Sequence, residues 1–105
     1  MIRKEAKLIG RLDDPKIPRK PTRDGYGQGV VEAARKDQNV VVVCADLTDS
    51  TRNADFKKTF PERFVQVGVH EQFLAAGGAG LALAGKIPFI TSYAMFCQGR
   101  AWEMV

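Results

Sequence analysis

Glu71 is the side chain best placed to do chemistry. It stands near the end of Phe60-Pro61-Glu62-Arg63-Phe64-Val65-Gln66-Val67-Gly68-Val69-His70-Glu71-Gln72, which reads as turn, short strand, glycine break and helix start. Pro61 closes the amphipathic segment before it, because proline lacks an amide proton and crowds the preceding turn. Residues 64–67 form a brief β-prone run that Gly68 ends. From Gln72 the chain turns rich in Ala, Leu and Gly, as a buried helix is. Glu71 thus falls where the carboxyl end of a strand meets the amino end of a helix, the crevice in which open α/β sheets bind ligands. A carboxyl group there can exchange a proton productively if a dry crevice brings its pKa toward its partner's. A carboxylate in a first turn also complements the positive end of the helix dipole. The stretch alone leaves both uses open. His70 has no second histidine in the chain to join it, so no metal site is expected there.

The elements around Glu71 follow from the apolar pattern. Residues 39–44, Asn39-Val40-Val41-Val42-Val43-Cys44, are the clearest strand, and their unbroken β-branched run predicts burial on both faces, the habit of a parallel sheet. A helix is expected from Thr22-Arg23-Asp24 to Lys36, with Thr22 as cap and Asp24 in the first turn. Shorter helices are expected over 53–60 and, with Gly77, Gly78 and Gly80 inside it, over 71–84. Those three glycines cost roughly 3 kcal/mol in helix propensity, so a close neighbour must offset them. Residues 87–91 are a third strand, 92–98 an aromatic-rich loop, and 99–105 the start of another helix. Asp24-Gly25-Tyr26-Gly27-Gln28-Gly29 follows no strand and lacks the spacing of a nucleotide-binding glycine loop. Helix and strand alternate throughout, which predicts parallel strands joined by right-handed crossovers.

Composition narrows the class. A chain of 105 residues makes one small domain, and 45% hydrophobic residues are enough for a core. No apolar run approaches the ~20 residues of a membrane span, and no apolar core follows the charges of Met1-Ile2-Arg3-Lys4. Two widely separated cysteines, Cys44 and Cys97, fit free thiols in a reducing cytoplasm better than a disulfide framework. Residues 1–36 hold ten basic side chains against five acidic ones. They lack interleaved aromatics and any nucleic-acid motif, so an arm that packs on a partner subunit or attracts anionic sugar phosphates is the better reading. Residues 1–21, with Pro15, Pro18 and Pro21, read as that extended lead-in.

Several ordered motifs then converge. Phe60-Pro61-Glu62-Arg63-Phe64, Gly68-Val69-His70-Glu71-Gln72, Gly80-Leu81-Ala82, Gly85-Lys86-Ile87-Pro88-Phe89 and Ala45-Asp46-Leu47-Thr48-Asp49-Ser50-Thr51 together resemble the pyrimidine-binding domain of transketolases. These thiamine diphosphate enzymes move two-carbon ketol units between sugar phosphates. The resemblance runs from about Pro21 to the last residue. It implies a parallel sheet with flanking helices, the thiamine diphosphate-binding fold in its pyrimidine domain, and it implies that residues 22–105 are the amino-terminal part of that domain.

By the same resemblance Glu71 is the glutamate that bonds the aminopyrimidine ring and controls its tautomer. Phe96 is the first choice for stacking on that ring, with Tyr93 beside it, and Asp46 matches an aspartate near the cofactor. Arg23 and Ser50 match positions that contact the substrate's phosphate, where a guanidinium fork and a hydroxyl suit a dianion. The family's Gly-Asp-Gly segment and following asparagine, which bind the diphosphate and Mg²⁺, do not occur here. The chain is therefore expected to hold only the pyrimidine half of the cofactor, with Mg²⁺ supplied through a separate diphosphate-binding subunit. Met1 ahead of the lead-in reads as a chain start, and the short last helix as an interruption. The expectation is the start of a transketolase carboxy-terminal section, a split small subunit that works in a homo- or hetero-oligomer and binds neither nucleic acid nor membrane. The alternatives are a 1-deoxyxylulose-5-phosphate synthase-like or 2-oxoacid dehydrogenase β-like relative, which take 2-oxoacid donors, and a non-catalytic assembly module.

Overall fold

The computed structural model describes residues 13–105. Of the lead-in, 1–12 lie outside the described residues. Residues 13–21 form turns and bends, with the Lys16 amide donating to Asp14 Oδ1 at 2.8 Å. The elements are α1 (Thr22–Lys36), β1 (Val40–Cys44), α2 (Ala54–Thr59), β2 (Phe64–Gln66), α3 (Glu71–Leu83), β3 (Ile87–Thr91) and α4 (Ala94–Ala101). Short 3₁₀ turns at Pro61–Arg63 and Trp102–Met104 complete them. The three strands lie in the order β2-β1-β3 and pair in parallel, Val42 facing Phe64 on one side and Phe89 on the other.

Central β1 is buried along its whole length, as its valine run requires. Successive side chains of a strand point to opposite faces. Val40 and Val42 pack with Val30 and Ala34 of α1 and Phe56 of α2, whereas Val43 packs with Leu74 of α3, Ile90 and Cys97. Helices therefore cover both faces. Phe56 and Leu74 are fully buried, one in each layer, and each contributes about 1.5–3 kcal/mol by leaving water. Among the described residues no helix is long and apolar enough to cross a membrane.

Three local expectations are corrected. Thr22 is the first helical residue, and the capping position falls to Pro21, whose extended backbone (ψ 133°) leaves its carbonyl to accept the Asp24 amide at 3.0 Å. Residues 92–98 are not a loop. The connection is only Ser92 and Tyr93, because α4 starts at Ala94, with the Phe96 and Cys97 amides donating to the Tyr93 carbonyl at 2.9 and 2.8 Å. Packing decides this: Cys97 and fully buried Ala101 turn α4 onto the core. Of the three glycines in α3, only Gly78 meets a neighbouring element closely, Ile90 of β3, while Gly80 faces open space. The end of α3 does follow the glycine rule. Gly85 has φ +82°, its amide bonds the Ala82 carbonyl, and the Lys86 amide bonds that of Leu81, both at 3.0 Å.

Candidate functional site

The carboxyl ends of the three parallel strands share one edge of the sheet. From β1 the chain passes through α2 to β2, and α3 then carries it back past β1 to β3 on the other side. Connections diverge between β1 and β3, the arrangement that opens a crevice at the strands' carboxyl ends. The segments after β1 (45–53), after β2 (67–70) and after β3 (92–93) all reach this edge. Every residue singled out from the sequence except Arg23 comes from these segments or the helix turn that follows them, and Arg23 comes from the first turn of α1.

Glu71 opens α3 and is 2% exposed. Its Oε1 accepts from Ser92 Oγ at 3.3 Å, and its Oε2 pairs with Arg100 Nη1 at 3.1 Å. Burial pushes its pKa up, but the Arg100 hydrogen bond, the Glu71 backbone amide, the Arg100 charge and the Ser92 hydroxyl together outweigh it. The carboxyl group is held below the ordinary carboxylate range. This corrects the expectation that a dry crevice would raise it: the carboxyl group is buried, yet it faces a guanidinium that is half in solvent.

Phe96 and Tyr93 form a tilted ring pair with centroids 5.8 Å apart, Tyr93 exposed and Phe96 half-buried. The Arg100 guanidinium lies over the Phe96 ring, 4.3 Å from its centroid. Arg100 thus joins the buried carboxylate to the aromatic face. A planar group with N–H donors already fits between Glu71 and Phe96, so these residues suit an aminopyrimidine ring. Residue type alone could not single out Ser92 and Arg100. Their signal is positional: Ser92 directly follows β3, and Arg100 lies four residues, about one helical turn, after Phe96.

Arg23 and Ser50 also come together, Arg23 Nη1 donating to the Ser50 carbonyl at 3.4 Å. They sit between two clefts. One, of about 470 Å³, is lined by Arg23, Tyr26, Thr51, Thr91, Ser92 and Tyr93. The other, of about 650 Å³, includes Asp46, Thr48, Ser50, Lys57, Lys58 and Gln66. Asp46 is exposed, with φ +58°, and stands apart from the Glu71 cluster. Its amide donates to Gln66 Oε1 at 2.8 Å, and Gln66 Nε2 reaches Thr48 Oγ1 at 3.3 Å, which ties the ends of β1 and β2 together. A third cleft, of about 640 Å³ between α1 and residues 49–55, contains none of the residues singled out for chemistry.

Beneath the edge, a polar network fixes the loop after β1. Tyr26 Oη donates to Asn53 Oδ1 at 2.9 Å, and Asn53 Nδ2 donates to Thr51 Oγ1 at 2.8 Å and Thr91 Oγ1 at 2.6 Å. Asn53 is fully buried, so one side chain links α1, the loop and β3. Among the described residues no group of three or more His, Cys, Asp or Glu side chains could hold a metal ion. Both cysteines are free.

Fold and site together define an open parallel α/β domain whose ligand crevice holds a buried glutamate beside an aromatic pair. The chain belongs to the transketolase pyrimidine-binding domain family, whose model matches residues 19–105. It is 50% identical over 86 residues to a Methanocaldococcus jannaschii protein described as a transketolase C-terminal section, a match covering 82% of this chain and 27% of the relative. It is 38% identical over 80 residues to a 1-deoxy-D-xylulose-5-phosphate synthase of Clostridium perfringens, covering 76% of this chain and 13% of that enzyme. Among solved structures, a split-gene transketolase in an inactive β4 tetramer superposes with a TM-score of 0.71 at 47% identity, over 79% of this chain and 27% of that one. The chain therefore spans about a quarter of the length of its transketolase relative.

Proposed function

We propose that this chain supplies the pyrimidine-binding part of a thiamine diphosphate-dependent transketolase, which transfers a two-carbon ketol unit between sugar phosphates in the cytoplasm. The observation that carries this reading is the buried carboxylate of Glu71 at the start of α3, linked through one planar guanidinium to the face of Phe96. Thiamine diphosphate, when bound, supplies the chemistry that breaks and remakes a carbon–carbon bond beside a carbonyl. Glu71 would hold the aminopyrimidine at the ring nitrogen remote from its exocyclic amine, sharing a proton with it and so controlling its tautomer, and Ser92 fixes the carboxylate's orientation. Phe96, with Tyr93 at its edge, presents the stacking face, and Asp46 lines the approach from β1. Arg23 and Ser50 take the substrate's phosphate through a charge-assisted bond and a hydroxyl. The diphosphate and Mg²⁺ are held by a separate diphosphate-binding subunit in an oligomer. The β4 tetramer of the split-gene neighbour supports an assembly of this kind.

The test is reconstitution with a diphosphate-binding transketolase subunit, thiamine diphosphate and Mg²⁺. The expected result is ketol transfer from a ketose phosphate, with turnover falling by about 10²-fold or more in Glu71→Gln, the scale of a lost acid–base group. Hydrogen–deuterium exchange at the thiazolium carbon should slow in the same variant. Undiminished exchange would sink the role of Glu71. The synthase relatives favour a second reading in which the donor is a 2-oxoacid. Release of CO₂ from pyruvate by the reconstituted enzyme, without ketose transfer, would select it, and no turnover with either donor would favour an assembly module.

A further inference from the structure

Arg100 does two things at once. Its Nη1 pairs with Glu71 Oε2 at 3.1 Å, and its guanidinium carbon lies 4.3 Å from the centroid of Phe96. These are the two surfaces assigned above to the pyrimidine ring, a buried hydrogen-bond acceptor and an aromatic face. A guanidinium is itself planar, delocalised and furnished with N–H donors, so it offers both surfaces the contacts of an aminopyrimidine whose ring nitrogen carries a proton. The two groups cannot occupy the same face of Phe96 and the same carboxylate oxygen together.

We propose that Arg100 competes with the cofactor's pyrimidine for Glu71 and Phe96, and that the ring binds when the guanidinium turns outward. The inference rests on the reading of Glu71 and Phe96 as the pyrimidine site. The arginine is built to leave. Its side chain is 45% exposed while that of Glu71 is 2% exposed, so one end of the pair already stands in solvent. A single nitrogen, Nη1, joins the guanidinium to the carboxylate, with no bidentate fork to break. Gly99 beside it has open space where a side chain would be. Glu71 keeps the Ser92 hydroxyl when Arg100 departs, so its carboxylate is not left bare. Arg100 is then a specificity device as well. A ring that cannot both stack on Phe96 and donate to Glu71 recovers only part of what displacing the guanidinium costs.

The test uses the 105-residue chain with thiamine itself as probe, observed by saturation-transfer NMR on the pyrimidine methyl group and quantified by equilibrium dialysis. Neither measurement requires turnover or a monomeric protein. Arg100→Met keeps the side chain's length and removes both charge and planar donors. It should bind thiamine about tenfold more tightly, the factor expected where the open form is a tenth of the population. Arg100→Lys keeps an ion pair and loses the planar face, and should gain by a smaller factor. It also carries the test if circular dichroism shows that Arg100→Met has not folded. Thiamine binding that is abolished by Glu71→Gln, yet unchanged or weaker in the Arg100 variants, overturns this proposal and leaves the site reading standing. Binding indifferent to Glu71→Gln, or absent from every form, overturns both.

Discussion

Gly78 of α3 lies so close to Ile90 of β3 that a β-carbon on it would come within 2.6 Å of Ile90 Cγ2. The contact brings the helix that starts at Glu71 down onto the strand that leads to Ser92. The two ends of the Glu71–Ser92 hydrogen bond therefore depend on a glycine seven residues away. Gly80, on the same helix, meets nothing within 4 Å.

Opposite effects are expected from the same substitution at these two positions. Gly78→Ala should destabilise by about 1–3 kcal/mol, since Ile90 is attached too near its backbone to move aside freely. Gly80→Ala should stabilise by up to about 1 kcal/mol, the helix-propensity gain with no clash to oppose it. Urea midpoints measured on both variants check the pair. Equal destabilisation would mean that the glycines serve the whole helix and not a single contact.

That contrast also shows how far the sequence could be read. The valine run 40–43 declares a strand buried on both faces, because a half-exposed strand alternates apolar with polar residues, and the structure places helices over both sides of it. Glu71 is legible for a similar reason: a strand, a glycine and a carboxylate in order fix a junction. Gly78 and Gly80 are indistinguishable in the sequence, since a glycine carries no mark of what approaches it. Gly27 makes the same point, as a β-carbon there would lie 2.7 Å from both the β-carbon and the carbonyl oxygen of Arg52. Arg100 was illegible because arginines are common on helix surfaces, and the sequence placed the start of α4 too late to turn it toward Glu71. That missed contact is the largest of the effects that lower the pKa of Glu71, ahead of its backbone amide and the Ser92 hydroxyl.

The buried network around Asn53 sets a second prediction. Asn53→Ala removes the acceptor for Tyr26 and the donor for Thr51 and Thr91. Leaving buried polar groups unpaired costs about 1–3 kcal/mol, whereas Tyr26→Phe, which removes one hydroxyl, should cost about 0.5–1.5 kcal/mol. Burial pushes the Tyr26 hydroxyl well above its usual value of 10.0, and the neighbouring Cys44 adds to this against a smaller opposing effect of Thr91. The folded state then holds the tyrosine proton more tightly than the unfolded chain does. The associated stability is intact below about pH 10 and declines as the pH rises further. Tyr26→Phe should flatten this alkaline decline, as followed by thermal melts between pH 8 and 11.

Glu71 predicts the opposite limb. Its pKa is held below the ordinary value, so the unfolded chain binds the proton more tightly than the folded one. The stabilisation is present above the unfolded carboxylate range, about pH 4.3, and is lost as the pH falls through the folded value. Arg100→Met should raise that folded pKa and move the acid loss of stability to higher pH. A carbon-detected titration of the Glu71 carboxyl, run on both forms, gives the answer directly; an unmoved titration would deny that Arg100 holds the group ionised.

Large apolar side chains stand in solvent: Phe73 and Leu83 on α3, Met95 on α4, and Trp102 and Met104 after it. Strands β2 and β3 are both edges of the three-stranded sheet. Apolar surface on this scale beside open strand edges is expected to be covered by another chain. The 105-residue chain should therefore sediment as a dimer or larger, and Trp102→Ser with Leu83→Ser should shift it toward monomer. A wild-type monomer at micromolar concentration would contradict this.

The final prediction concerns Arg23, whose guanidinium reaches the Ser50 carbonyl at 3.4 Å from a cleft that also holds Ser92 and Tyr93. That bond is long and exposed, so it contributes little to stability. Arg23→Met should leave the unfolding midpoint within about 0.5 kcal/mol of wild type, as surface substitutions do. Its effect belongs to binding. In the reconstituted enzyme the variant should raise KM for phosphorylated sugars by roughly 10-fold or more, the loss of a charge-assisted hydrogen bond of about 1.5–3 kcal/mol. The unphosphorylated sugars, which offer no dianion, should lose little. Ser50→Ala should act in the same direction and more weakly, because a hydroxyl is a neutral donor. The ratio of kcat/KM between a sugar phosphate and its parent sugar isolates this effect, since a general fault in folding or cofactor loading lowers both alike. An equal loss on both substrates would assign Arg23 to tying α1 against the loop after β1, and would leave the phosphate to some other cation.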